Sequence, residues 1–214
     1  MPMTTPVLPT ISPHRTSLDG VALRTERLTL RPFNEDDAPF ILALFSDNGF
    51  LQFASTPPFT LIDQAHALVA RDTLKREIGA RLRLGMERTD DGALVGYCDL
   101  FNIDPACKKA ELGYGLLTAQ RGFGYMHEAL SALLHWAFNE RPLKRLTAEI
   151  DPANTNSAKT LTRLGFSKQG QLGDGCIVDG VVSDSVFYAL CKQNTGPCPT
   201  ASPAIPKMNA NITP

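Results

Sequence analysis

From position 27 to 32 the chain alternates, with Leu28 and Leu30 set against Arg27, Thr29 and Arg31. A period of two predicts a half-buried strand. Asn34 then stands before the acidic pair Asp36 and Asp37, which predicts an N-capped helix over 36–45. Pro57-Pro58 breaks the chain, and a second helix is predicted over 61–77. Leu82, Leu84 and Met86 share one face of a strand over 80–87, and Asp90-Asp91-Gly92 is a hairpin signal. Strands over 94–103 and 110–117 follow, divided by Asp104-Pro105 and the lysines 108 and 109. The clearest element is a helix over 124–139, where Met126, Ala129, Leu130, Leu133, Leu134, Ala137 and Phe138 recur at helical spacing. A strand over 143–150 leads to a helix over 153–164, stopped by Gly165. Strands over 166–172 and 181–190, joined near Asp179-Gly180, complete the pattern. Hairpins in the first half and alternating strands and helices in the second predict an α/β (α+β mixed) domain. Its centre is a mixed sheet of about seven strands, flanked by helices.

Composition sharpens this picture in four places. Pro2, Pro6, Pro9 and Pro13 predict a disordered leader over 1–20, and the proline-rich segment 193–214 predicts a disordered tail, leaving one domain over 21–192. A formal net charge of −1 gives no electrostatic case for nucleic acid or an anionic membrane. No apolar run approaches the roughly 20 residues that span a bilayer, and nothing resembles a signal peptide, so a cytoplasmic location is expected. Five cysteines without metal-like spacing predict reduced thiols and no metal.

The chemistry concentrates in Arg121-Gly122-Phe123-Gly124-Tyr125-Met126, a glycine turn between a strand and a helix. Such a turn leaves backbone N–H groups uncovered at the positive end of a helix dipole, a site for phosphate or pyrophosphate. A P-loop would close with Lys and Ser/Thr, and Tyr125-Met126 supply neither. The dinucleotide fingerprint lacks its third small residue.

What fits is Arg-x-x-Gly-x-Met, with Arg121, Gly124 and Met126, which resembles the acetyl-CoA loop of the GNAT acetyltransferases. The continuation His127-Glu128-Ala129-Leu130 is similar to the branch that holds the ribosomal-protein N-terminal (alanine/serine) acetyltransferases. Three further segments resemble the family in order: Leu28-Leu30-Arg31-Pro32-Phe33 with Asp36-Asp37, Ala110-Glu111-Leu112-Gly113-Tyr114, and Asn154-Thr155-Asn156-Ser157 followed by Leu164-Gly165-Phe166. The resemblance spans roughly residues 23–190. It implies a twisted, mostly antiparallel sheet that splays at the strand before the loop. It also implies an acetyl-CoA-dependent N-acetyltransferase acting on a primary amine, either a protein N-terminus or a small molecule, by direct attack in a ternary complex. A weakly catalytic CoA-binding sensor of the same fold is the alternative. Expected partners are acetyl-CoA and the amine, with a homodimer left open, and neither nucleic acid nor membrane.

On the resemblance, the backbone of Leu116, Leu117 and Thr118 pairs with the pantetheine arm. Arg121, Gly122, Phe123, Gly124, Tyr125 and Met126 hold the pyrophosphate. Gly113 and Gly115 are consistent with a strand that departs from its neighbour, or with ordinary strand irregularity. Glu111, on the same side as those glycines by period two, is the candidate base; its plainer role is a solvent-facing residue paired with Lys108 or Lys109. Asp99 on the preceding strand is the second candidate. Asn154 is an N-cap by residue type and, by resemblance, a ligand to the pantetheine. Many GNAT enzymes carry a tyrosine acid in this helix. None follows Ser157 here, so Ser157 is the substitute donor to the leaving thiolate.

Overall fold

The computed structural model describes residues 17–192 except 55, 179 and 180, and for 172–183 the backbone alone. Eight strands form one sheet: β1 (Leu23–Arg24), β2 (Leu28–Pro32), β3 (Leu82–Arg88), β4 (Leu94–Asp104), β5 (Lys109–Leu116), β6 (Arg145–Ile150), β7 (Ser167–Val178) and β8 (Val181–Cys191). Their order is β1-β2-β3-β4-β5-β6-β8-β7. Every neighbouring pair is antiparallel except β5 and β6. Helices are α1 (Ala38–Leu44), α2 (Asn48–Leu51), α3 (Ile62–Glu77), α4 (Tyr125–Asn139) and α5 (Thr155–Arg163). The extra strand is the two-residue β1, and α2 is a single turn; both are too short to show a period.

Two cores lie on opposite faces of the sheet. The larger gathers Leu28, Leu30, Leu82, Leu84, Met86, Leu100, Ala110 and Leu112 with the apolar stripe of α4 and with Leu161 of α5. The smaller packs Phe33, the α1 residues Ile41 and Leu44 and the following Phe45 against Ala65, Leu68 and Val69 of α3. At about 1.5–3 kcal/mol for each fully buried Leu or Ile, both faces are strongly held. Asn34 caps a 3₁₀ turn over Glu35–Asp37 reciprocally: its side chain accepts from Asp36 N–H, while Asp37 accepts from Asn34 N–H.

Several boundaries differ from the sequence expectation. Leu18 is buried and its N–H donates to Arg76 C=O, so packing begins inside the segment expected as a leader. β7 runs on to Val178 through register shifts at 168/170 and 172/176, which hide its period. The turn at Asp179-Gly180 and the remaining terminal segments lie outside the described residues. Cys98 is buried and free and Cys107 exposed and free, whereas Cys191 is disulfide-bonded, correcting the expectation of reduced thiols throughout. Among the described residues no helix is long and apolar enough to cross a membrane.

The sheet is incomplete at its centre. β5 and β6 pair only at Lys109–Arg145, Ala110–Leu146 and Glu111–Thr147. Beyond Glu111, β5 continues to Leu116 with β4 alone beside it, and β6 continues to Ile150 beside β8. This is the splay that the resemblance implied. It leaves one edge of each strand with unpaired backbone groups.

Candidate functional site

The free edge of β5 runs into the glycine turn. After Leu116 a 3₁₀ turn over Thr118–Gln120 leads to Gly122 at φ 88° and Gly124 at φ 82°. L side chains rarely adopt such angles, so glycine is required at both. Gly124 is the N-cap of α4, and the first intrahelical bond is Glu128 N–H to Gly124 C=O. The N–H groups of Tyr125, Met126 and His127 therefore have no acceptor within the helix and point toward its positive end. A Cβ on Gly122 would meet nothing within 4 Å, so the space beside the turn is open.

The turn is braced from the start of the chain. Glu128 accepts from Thr25 Oγ1 (2.6 Å), Arg27 N–H (2.8 Å) and Arg27 Nε (2.7 Å). Arg27 Nη1 donates to Phe123 C=O at 3.0 Å, and its guanidinium lies over the Tyr125 ring. Partial burial opposes the charge on Glu128, but hydrogen bonds from Thr25 and Arg27 outweigh it and hold the carboxyl below its usual range. The sequence reading missed this brace. Its only signal was an acid in the first turn of α4.

A cavity of about 1270 Å³ runs through the splay and reaches both faces of the sheet. On one side it touches Gly122, Gly124, Met126 and the α5 residues Asn154, Ser157 and Arg163. On the other it touches Phe45, Phe50, Arg81, Arg83, Tyr97, Asp99 and Glu111. Leu116, Arg121, Gly122, Gly124, Met126, Asn154, Glu111 and Ser157 thus come together around one space. Leu117 and Thr118 do not present the free backbone edge expected of them: Leu117 N–H donates to Val95 C=O and Thr118 N–H to Asp47, while their carbonyls accept from Gln120 and Arg121 N–H. Phe123 is exposed and stacks on Tyr125.

Glu111 shares a face with Gly113 and Gly115, as alternation required. Its partner is not a lysine: Asn102 Nδ2 donates to Glu111 Oε1 at 2.9 Å. Asn102 reaches it from an irregular stretch of β4, where its φ of 48° and the register shift between Phe101 and Asp104 turn the side chain. Asp99 is a different kind of carboxylate. It is 1% exposed and Oδ2 accepts from Arg81 Nε at 2.8 Å and Arg83 Nε at 3.3 Å. Arg83 Nη1 lies 2.9 Å from Asp72 Oδ2 on α3. Asp99 is therefore a member of a buried charge cluster, which ties it to two arginines and argues against a free proton acceptor.

At α5, Asn154 Oδ1 accepts from Ser157 N–H at 3.1 Å, so the cap is present. Tyr114, from β5, reaches the same corner. Its hydroxyl donates to Ser157 C=O at 3.4 Å, and burial pushes its phenol up to about 12. No tyrosine follows Ser157 within α5, yet the fold supplies one beside it from a strand 43 positions earlier. Among the described residues no group of three His, Cys, Asp or Glu side chains could hold a metal ion.

Comparison with known proteins agrees with this geometry. Residues 27–167 match the family profile described as an acetyltransferase (GNAT) domain. The chain is 32% identical over 173 residues to the uncharacterized N-acetyltransferase p20 of Bacillus licheniformis, covering 80% of this chain and 96% of that one. It is 28% identical over 186 residues to the ribosomal protein uS5 alanine N-acetyltransferase of Escherichia coli, covering 83% and 94%. Among solved structures, RimL, a ribosomal L7/L12 α-N-protein acetyltransferase in complex with coenzyme A, superposes with a TM-score of 0.74 at 22% identity, covering 80% and 98%. A profile match across most of the folded domain, together with a relative of this identity and extent, is decisive: the chain belongs to the GNAT acetyltransferase family.

Proposed function

We propose that this N-acetyltransferase passes an acetyl group from acetyl-CoA to a primary amine, with both held at once in the splay between β5 and β6. The observation that carries this is the continuity of the free β5 edge with the positive-φ glycine turn. An extended, amide-bearing arm fits the first, and a pyrophosphate fits the second. Bound there, acetyl-CoA supplies an activated acyl thioester. Leu116 would offer its backbone groups to the arm, Arg121 to Met126 would surround the phosphates, and Asn154 would face the arm from α5. The opening on the opposite face admits the acceptor, which supports direct attack without an acyl-enzyme.

The acceptor amine must lose a proton, and an α-amine with pKa near 7.7–8.0 needs only a modest base. Glu111 is that base: it borders the cavity from β5 and Asn102 fixes its carboxylate. The departing sulfur must gain a proton. Ser157 Oγ is the proposed donor, and the Tyr114 phenol, held protonated at neutral pH and in the same corner, is a second. The acceptor class rests on the family's ribosomal-protein relatives, which favour a protein N-terminus over a small amine.

Thiol release from acetyl-CoA, measured with a panel of N-terminal peptides and small amines, tests this reading. Turnover with at least one primary amine is expected. CoA binding without thiol release on any acceptor would move the chain to the sensor reading.

A further inference from the structure

Asp47 stands at the start of α2, where its Oδ1 accepts from Phe50 N–H at 2.9 Å and so caps a single helical turn. A cap needs no more than that. The same carboxylate also crosses to residue 118, accepting from Thr118 Oγ1 at 2.6 Å and Thr118 N–H at 3.1 Å. Beside it, Arg121 Nη2 donates to Gly49 C=O at 2.7 Å. Gly49 is pressed so close that a Cβ there would lie 2.2 Å from Thr118 Oγ1. At the next residue, the Phe50 ring covers Gly115 on β5; a Cβ at 115 would lie 2.2 Å from Phe50 Cε2. Phe50 is in turn part of an aromatic group with Phe45 and Tyr97, at 5.3 and 6.2 Å between ring centroids.

The segment 47–54 walls the acceptor half of the cavity through residues 49–54, and 118–124 is the entry to the phosphate turn. The two are joined by side chains and not by sequence. We propose that Asp47 is a positioning residue that latches this acceptor wall to the phosphate turn, so that CoA bound at the turn firms the wall against which the amine is presented. This rests on the reading of the turn as the CoA site. The coupling is reciprocal in free energy: whatever CoA gives the wall, a fixed wall gives back to CoA affinity. Loosening the latch therefore weakens CoA binding although Asp47 itself need not touch CoA.

The test uses the full chain and CoA itself. Hydrogen exchange of the 47–54 amides is followed by mass spectrometry with and without saturating CoA, and CoA affinity is measured by calorimetry for wild type, Asp47→Asn, Thr118→Val and the double variant. CoA is expected to slow exchange at 47–54 in the wild type and to lose that effect in Asp47→Asn. The expected weakening of CoA affinity in Asp47→Asn is about tenfold, inside the ~5–150-fold range of site-to-site coupling. Thr118→Val should weaken CoA in the wild type but add little to Asp47→Asn, because one interaction is removed only once. A cap-only role for Asp47 would give additive effects and an unchanged CoA response, and that result overturns the latch. If Asp47→Asn does not fold, the wild-type exchange decides: no CoA-dependent slowing at 47–54 overturns the proposal. A wild-type chain that binds no CoA removes the functional reading and the latch together, whereas CoA binding equal in wild type and variants removes the latch alone.

Discussion

The two sides of the splay are built in contrasting ways. The phosphate side is local: a strand end, two glycines and a helix start, contiguous over 116–126. The acceptor side is assembled from Phe45 after α1 and from α2, β3, β4 and β5, and its charged members Arg83 and Asp99 are buried by neighbours far along the chain, with Arg81 half-buried beside them. A contiguous turn is tuned by backbone conformation, which few residue types permit. An assembled wall is tuned by side chains. On the proposed reading, cofactor recognition and acceptor choice rest on parts of one cavity that are built differently and meet at the contacts of Asp47 with Thr118 and of Arg121 with Gly49.

Removing the proposed base acts on the acceptor side alone and is the largest expected effect. Glu111→Gln should lower kcat by roughly 10²–10⁴-fold near neutral pH with CoA affinity intact. The loss should shrink above pH ~8, where the α-amine is already neutral. An unchanged pH–rate profile would return Glu111 to a structural role.

Gly124→Val strikes the other side. It forces a β-branched residue to φ near 82°, costing about 1–2 kcal/mol for a left-handed residue, and it places carbon against the phosphates. Calorimetry should show CoA affinity falling at least tenfold while circular dichroism still reports a folded domain. Wild-type affinity in a folded variant would separate the turn from the cofactor.

How the two sides read from sequence follows the same division. The glycine turn, the Asn154 cap and the Gly165 stop, with φ 89°, were legible because a few adjacent residues dictate backbone geometry. The brace from Arg27 to Glu128 joins residues 101 apart, and the contact of Asp47 with Thr118 joins residues 71 apart. No period or local motif encodes such contacts. Asp99 and Glu111 looked alike as acids on neighbouring strands. Only packing separates them, because Arg83 of β3 and Arg81 just before it neutralise the first. Tyr114 was hidden for the same reason: the family pattern directs attention to α5, and the phenol arrives from β5.

Asn154→Asp gives a smaller effect that lies between the two sides. Aspartate caps as well as asparagine, so the change in stability should stay below about 0.5 kcal/mol, against ~1 for Asn154→Ala. Ionised aspartate only accepts, so a bond donated by Asn154 to the arm would be lost and acetyl-CoA KM should rise. Normal KM with normal Tm would leave Asn154 as a cap only. Ser157→Ala in parallel should lower kcat with KM unmoved.

The smallest effect concerns acid. The folded-state pKa of Glu128 lies below its unfolded value, so its contribution to stability is present above the unfolded value and is lost as pH falls through the folded one. Glu128→Gln should therefore cost Tm at pH 7 and cost less at pH 3. A Tm difference that is constant across this range would show that the brace acts by packing and not by charge.

The divergence of β5 from β6 also bears on how long the protein lasts in the cell. A sheet that stops pairing halfway along its central strands resembles a ladder with missing rungs, and on the proposed function the arm that fills it would act as a visiting strand. By mass action, a ligand held only by the native state adds about 2.7 kcal/mol when its free concentration is 100 times Kd. Copies without it open more often, and opened copies are those that proteases remove. The abundance of this chain would then follow the supply of its acyl donor, with no sensor beyond the gap in its own sheet.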